Sequence, residues 1–291
     1  MQTRNELLTL LTTAAATLAF AASAATAVEP HIGPQVRADV GGGTAQSNET
    51  TLSCGDYNPL EIVCGWNDYR SQIKSGFGLS LDGGKSYTDY LIRPPAPYQS
   101  SVEGDPMTAY DQRTGYMWAS AMSFASNGGI YIARKAPGAA QFENSVMARI
   151  SGGVDKCWMA PGPVPGNPNS TRLYIAYNEG VIYSDDLGLS WTSPNSLGTG
   201  LGFLPRLGPN GELYVMYWDW WDETVKMKRS LNGGASFTTH TVASRMFTWS
   251  TADCPYVPGS FRVPPLSYLA VDPNSGKLYA MWMDVSGQVP G

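Results

Sequence analysis

The sequence predicts an all-β fold, a β-propeller built from four-stranded blades. An eight-residue phrase is the first observation behind this. Ser80 to Tyr87 reads SLDGGKSY, Ser184 to Trp191 reads SDDLGLSW, and Ser230 to Phe237 reads SLNGGASF. Spacing is the second: Ser184 and Ser230 lie 46 residues apart, and Ser80 and Ser184 lie 104 apart, two units of 52. Repeats of about 40–50 residues with strand-rich content build propeller blades. Composition is the third, because 32 Gly, 21 Pro, 9 Trp, 16 Tyr and 8 Phe in 291 residues suit turn-dense β-structure.

Each part of the phrase has a job in a turn between strands. The side-chain oxygen of Asp82, Asp186 or Asn232 accepts from backbone N–H groups a few residues on. Gly84, Gly188 and Gly234 supply positive φ. The closing aromatics Tyr87, Trp191 and Phe237 plug the space between sheets. A degenerate copy is expected midway through the longer gap. There Ile130-Tyr131-Ile132-Ala133 aligns with Val181-Ile182-Tyr183-Ser184, followed by Lys135, Gly138 and Phe142 and without the acid. A second phrase precedes the turns: Ile62 to Asn67, Leu173 to Asn178, Leu213 to Asp219 and Leu278 to Asp284 read as buried strands. Turn signals at Asn58-Pro59, Gly208 to Gly211 and Asp272 to Gly276 stand before them. Each unit reads strand, turn, strand, loop, strand, acidic turn, strand.

Residues 1–27 read as a secretory signal: Arg4 precedes a Leu/Ala/Thr-rich run, and Ala25-Thr26-Ala27 offers a cleavage site before Val28. The alternative is an N-terminal anchor, for which the run falls short of about 20 strongly apolar residues. Residues 28–47 are expected to form a loose Gly-rich leader, and 48–291 the propeller. Export permits disulfides. Cys54 and Cys64 lie on strands joined by one turn and are expected to face each other, and Cys157 with Cys254 is a second pairing. The alternative is four buried thiols. A box follows Asp219 by eleven residues, and the same interval from Asp284 runs past Gly291, so the chain is expected to stop inside its fifth blade. An incomplete ring leaves two blade faces for self-association.

A formal charge of −5 and a pI near 5.0 argue against nucleic acid or an anionic membrane as the main partner. No membrane insertion is expected once a signal is removed. No Cys or His cluster points to a metal, and no cofactor is expected. His31 falls in the leader and His240 on an outer strand, which gives no support to His-based catalysis.

The repeats resemble the Asp-box (BNR) repeats of sialidase-like β-propellers over roughly Asn48 to Asp284. Asn48-Glu49-Thr50-Thr51, followed by Gly65-Trp66-Asn67-Asp68-Tyr69-Arg70, is similar to secreted bacterial members. The resemblance implies about four and a half blades of a six-bladed parent, and a secreted sialidase-like glycoside hydrolase, or a fragment of one, acting on glycans or glycoproteins. The alternative is a non-catalytic extracellular propeller that binds glycans or proteins.

It also implies that the acidic turns lie opposite the ligand, which then faces the loops entering each inner strand and leaving each second strand. Those loops nominate Asp105, Asp68 and Glu49 as catalytic carboxylates. They nominate Arg70, Arg206 and Arg262 with Asp219, Trp220 and Trp221 as substrate-binding, and they carry Asp155 and Lys156 with no assigned role. Paired carboxylates supply acid and base for glycosidic cleavage, and guanidinium forks match a substrate carboxylate. The alternative for strand-exit Asp and Asn is local capping. Phe261-Arg262-Val263-Pro264 resembles the Phe/Tyr-Arg-Ile-Pro motif of the family, but it opens the fifth blade and does not precede the first. No tyrosine is assigned as nucleophile.

Overall fold

Short apolar runs separated by glycine-rich turns close into antiparallel meanders, in which strand order follows chain order. The computed structural model describes residues 33–70, 74–98, 104–244 and 266–282. The expectations for residues 1–27, His31, Cys254, Arg262 and Asp284 lie outside them. Residues 36–291 form one compact unit; of the first 35, only 33–35 are described, and they carry no regular structure.

The first sheet holds β1 (Ser47–Cys54), β2 (Ile62–Asp68), β3 (Gly76–Ser80) and β4 (Thr88–Leu91). The second holds β5 (Gly104–Tyr110), β6 (Met117–Ser123), β7 (Gly129–Lys135) and β8 (Val146–Ile150). The third holds β9 (Trp158–Val164), β10 (Asn167–Tyr177) and β11 (Gly180–Ser184). The fourth holds β12 (Leu201–Leu207), β13 (Leu213–Asp219), β14 (Thr224–Ser230) and β15 (Thr238–Ala243), which carries His240. Of the fifth, β16 (Tyr268–Val271) and β17 (Leu278–Met281) are described. Among the described residues there is no helix.

The first strand of each sheet touches the first strand of the next, in the order β1, β5, β9, β12, β16. That succession of inner strands is the propeller arrangement. The core lies between the blades. Leu173, Ile175 and Tyr177 pack toward Trp118 and Ile132 of the second sheet. Their alternates Tyr174 and Ala176 pack toward Phe203 and Val215 of the fourth. Period-2 alternation thus sends successive residues of one strand into two different interfaces. A strand covered on both sides has no solvent face, and β6 is buried throughout.

The three repeated turns close alike. Ser80, Ser184 and Ser230 each accept from the N–H four residues on, at 2.8–2.9 Å, and donate to Asp82, Asp186 and Asn232 at 2.8, 2.7 and 2.9 Å. The same acid or amide oxygen takes the backbone N–H of Ser86, Ser190 or Ser236. Two consecutive residues are left-handed: Gly83 and Gly84, Leu187 and Gly188, Gly233 and Gly234. Leu187 takes that strained conformation while its carbonyl accepts from Trp118 Nε1 at 3.0 Å, which ties the corner to the preceding blade. Trp191 and Phe237 pack against the inter-blade clusters beside them.

Register corrects the alignment of the degenerate copy. Lys135 pairs with Met117 as Ser184 pairs with Leu173, so Lys135 and not Ala133 stands at the serine position. Its side chain is fully buried, with Nζ 2.9 Å from Oε1 of Glu61 in the first blade. An ion pair across the interface replaces the hydroxyl corner.

Two further expectations differ. The third blade has three strands, and its fourth is reduced to a single bridge, Val181 to Asn195; Pro194 there has no N–H to donate. Cys54, Cys64 and Cys157 are free thiols, and Cys54 is exposed. Cys64 pairs with Leu52 and Cys54 with Ile62, so the two cysteines are out of step and not face to face. Ahead of β1, Gly41 N donates to Asp89 Oδ2 at 2.9 Å.

Ser184→Ala leaves buried N–H groups without an acceptor and lowers urea-unfolding stability by about 1–3 kcal/mol, whereas Asp186→Asn, which copies the corner at Asn232, costs less than half of that. Hydrogen bonds from Ser86 and Ser80 hold Asp82 down to about 2. Its folded pKa therefore lies below its unfolded one, so its contribution is complete above about pH 4 and fades as pH falls toward 2. Asp82→Asn flattens that part of an acid-unfolding curve. Separately, Glu61→Ala strands the buried Lys135 ammonium and costs about 3–5 kcal/mol, while Glu61→Leu with Lys135→Met restores most of the loss.

Candidate functional site

Three of the five inner strands open with an irregular step. Pairing slips between Asn48 and Thr51 in β1, between Gly104 and Met107 in β5, and between Leu201 and Leu204 in β12. The backbone turns left-handed at or beside that step, with φ of 50° at Glu49, 47° at Asp105, 47° at Lys156 just before β9, and 73° at Gly202. Bulges re-aim side chains. In three successive blades the re-aimed side chain is charged, and the three meet. Lys156 Nζ stands 3.4 and 3.3 Å from the Glu49 carboxylate oxygens and 3.2 Å from Asp105 Oδ1.

Asn67 holds Asp105 in place. Its Oδ1 accepts from Asp105 N at 2.9 Å, and it approaches so closely that a Cβ on Gly104 would stand 2.0 Å from it. Gly104, at φ 112°, is there because no other residue fits between the clamp and the bulge.

The two carboxyls are pushed in opposite directions. Burial pushes Asp105 up to about 7, its hydrogen bond with Glu49 adds to this, and the Lys156 charge opposes it. Glu49 moves the other way: the hydrogen bond from Asp105 holds it below the ordinary range, against burial and with help from Lys156. Burial works against the Lys156 charge, but Asp105 and Glu49 outweigh it and keep the amine above its usual value. The cluster is thus a proton-bearing acid, an ionised carboxylate and an ammonium. Asp105 Oδ2 makes no well-angled hydrogen bond, although Lys156 Nζ lies 3.2 Å from it.

The cluster sits at one end of a channel of about 690 Å³ whose wall includes Glu49, Asp105, Lys156, Trp158, Arg206 and Tyr268. Register sets which end. Ser47 lies opposite Asp68, while Cys54 lies opposite Ile62 and Ile62 opposite Ser80. The carboxylates therefore occupy the end away from the hydroxyl-closed corners.

Of the nominated residues, Glu49 and Asp105 come together and Asp68 does not join them. Asp68 is buried and takes hydrogen bonds from Trp66 Nε1 at 3.2 Å and Arg70 Nε at 2.7 Å. The same Arg70 spans to both oxygens of Asp89 at 2.9 and 2.8 Å. Asp68, Arg70 and Asp89 close on one another within the first blade. Arg206 is not in an entering loop but is the penultimate residue of β12, inside the channel. Asp219 is paired with Lys226 at 2.9 Å. Trp220 and Trp221 project from the β13–β14 turn, 40% and 79% exposed, with Trp220 edge-on to Trp218. Lys156 and Asn67 are what sequence reasoning left without a role; their positions, next to one strand's start and at another's end, were the available signal. No metal-holding group of three or more His, Cys, Asp or Glu occurs among the described residues, and none of their helices is long and apolar enough to cross a membrane.

The proton balance is testable. Because folded Asp105 titrates above an ordinary carboxyl, the folded chain binds more protons than the unfolded one between about pH 4 and about 7, and stability falls as pH rises through that window. Carbon-13 NMR of labelled carboxyls should show one aspartate titrating near neutrality. Lys156→Met should move that titration higher, and Asp105→Asn should abolish it and flatten the stability slope.

No family model and no curated protein matches the chain. Among solved structures it is similar to a protein of unknown function from Dyadobacter fermentans, at 15% identity and a TM-score of 0.43, with 82% of this chain over 79% of that one. An α-L-arabinofuranosidase from Fusarium graminearum aligns at 13% identity and a TM-score of 0.45, with 82% over 80%. The NanB sialidase from Streptococcus pneumoniae aligns at 11% identity and a TM-score of 0.46, and the chain spans only 61% of its length. The propeller assignment rests on the chain's own sheet order and inner-strand contacts.

Proposed function

We propose that the protein is a secreted glycoside hydrolase acting on glycans at the channel mouth. The observation that carries this reading is the cluster of Glu49, Asp105 and Lys156, brought from three successive blades into one end of the channel, where burial raises Asp105 to about 7 and Glu49 is held below the ordinary carboxylate range. Two carboxyls whose environments push their pKa values apart divide the work of acid and base. Asp105, fixed by Asn67, would protonate the leaving oxygen. Glu49 would act on the opposite side of the sugar as nucleophile or base. Cleavage needs the carboxyls about 5–5.5 Å apart for retention, or about 6.5–9.5 Å for inversion, so substrate must part a pair that rests in hydrogen-bond contact. Glu49 has the freedom for that, with its side chain 41% exposed against 14% for Asp105. Trp221 is the aromatic most available to stack on a sugar ring.

The finer reading, an exo-α-sialidase, asks three guanidinium groups to meet at one substrate carboxylate. Arg70 is committed to Asp68 and Asp89, and only Arg206 of the described pair faces the channel. A second reading, a non-catalytic glycan binder, is favoured by the Lys156 ammonium, which already neutralises the pair and holds it closed. Residues 1–27 remain our proposal for the export signal.

A panel of fluorogenic glycosides, sialosides included, separates these readings. Hydrolysis should fall at least about 100-fold in Asp105→Asn and in Glu49→Gln, and kcat in the parent should decline above pH 7 as Asp105 loses its proton. Glycan binding without turnover on any substrate, weakened by Trp221→Ala, would establish the binder instead.

A further inference from the structure

Six of the nine arginines among the described residues are paired with an acid. Arg37, Arg70, Arg113, Arg134, Arg149 and Arg172 each meet a carboxylate. Arg93 and Arg229 are exposed to solvent. Arg206 is neither paired nor exposed. Its one hydrogen bond is from Nη1 to the carbonyl of its own neighbour Pro205, at 2.8 Å, and no carboxylate among the described residues lies within ion-pair distance. Burial alone acts on it and depresses its pKa, with no anion to offset the cost. A half-buried guanidinium that lines a channel without a counter-charge is left with donors that an anionic ligand can satisfy.

Its depth matters as much as its charge. Arg206 lies four residues along β12 from Gly202, the left-handed residue level with Glu49, Asp105 and Lys156. At about 3.3 Å per residue that separation is roughly 13 Å. Between the two ends the wall offers hydroxyls: Thr108 Oγ1 lies 3.0 Å from Thr51 Oγ1 and 2.9 Å from Ser53 Oγ. All three line the same channel as Arg206.

We infer that Arg206 is an oxyanion subsite at the inner end of the channel, and that the ligand is an acidic oligosaccharide whose carboxylate or sulfate lies more than one sugar unit from the mouth. This rests on the proposed glycan reading and deepens it. An exo-acting enzyme that removes a terminal acidic sugar would need the anion beside the scissile bond. Here the cation and the carboxyl pair stand at opposite ends. The guanidinium fork takes the oxyanion in two hydrogen bonds, and the Thr and Ser hydroxyls meet the intervening sugar.

Titration calorimetry on the full chain tests this with four probes: sodium sulfate, a monomeric hexuronate, an oligouronate, and the same oligosaccharide with its carboxyls reduced. The oligouronate should bind at least 10-fold more tightly than the reduced form and than either small anion, and more weakly as salt rises. Arg206→Gln should remove that preference, and Arg206→Lys, which keeps the charge but not the fork, should retain part of it. The preference for the acidic over the reduced oligosaccharide is read in binding alone and hydrolysis in turnover alone, so a failure of catalysis and a failure of this site are read separately. Equal affinity for acidic and reduced oligosaccharides, or sulfate binding as tightly as the oligouronate, overturns the inference. So does an unaltered preference in Arg206→Gln that keeps the parent's urea midpoint. Should that variant misfold, loss of preference in Arg206→Lys decides in favour and full retention decides against.

Discussion

The serine hydroxyl at the foot of three blades is the interaction on which the architecture depends. It sits where the chain reverses between the third strand and the outer edge, accepts one backbone N–H, and hands its own proton to the acid or amide two residues on. That acceptor, now oriented, takes a second backbone N–H from the far side of the turn. Each reversal therefore closes on its own polar groups, and at Leu187 the corner is tied to the neighbouring blade through Trp118 Nε1. In the second blade the device is absent and Lys135 occupies its position. The burden moves to a charge pair with Glu61 that reaches into the first blade. A hydroxyl corner satisfies its own chain, whereas the lysine fastens two blades together.

At the opposite end of the inner strands the backbone does the reverse and accepts strain. Glu49, Asp105 and Lys156 are all non-glycine residues in the left-handed region, a conformation costing about 1–3 kcal/mol each unless the surroundings impose it. For Asp105 the imposing partner is visible in Asn67, which belongs to the preceding blade. Blade packing thereby fixes the angle at which Asp105 meets Glu49. The proton held to near neutrality is a consequence of how two blades abut, not of the two acids alone.

The repeat made the fold legible: a phrase recurring at blade length could only bring its strands to equivalent places. It also made the acid corners legible as structural, since their polar atoms are satisfied within eight residues. What the sequence could not reveal were facts that depend on register. Ala133 looked like the partner of Ser184 because two alternating strands align equally well when shifted by two, and only pairing to Met117 singles out Lys135. Asp68 and Arg70 looked available because their partner, Asp89, lies 19 residues away on an outer strand. Glu49 and Asp105 were correctly read as facing a common space, but the lysine between them carried no motif.

The contrast between Arg70 and Arg206 shows how burial and pairing divide the work among similar residues. Arg70 has two carboxylates and ties the end of the second strand to the outer strand; placing a ligand there would mean breaking its charge-assisted bonds to both Asp68 and Asp89. Arg206 has its cost without its compensation. A chain retains such a residue inside a polar channel when something else completes it, and the channel's other end already holds its own balanced charges. At the mouth the Lys156 ammonium already meets the Glu49 charge, so the unmet demand for an anion lies at the Arg206 end alone.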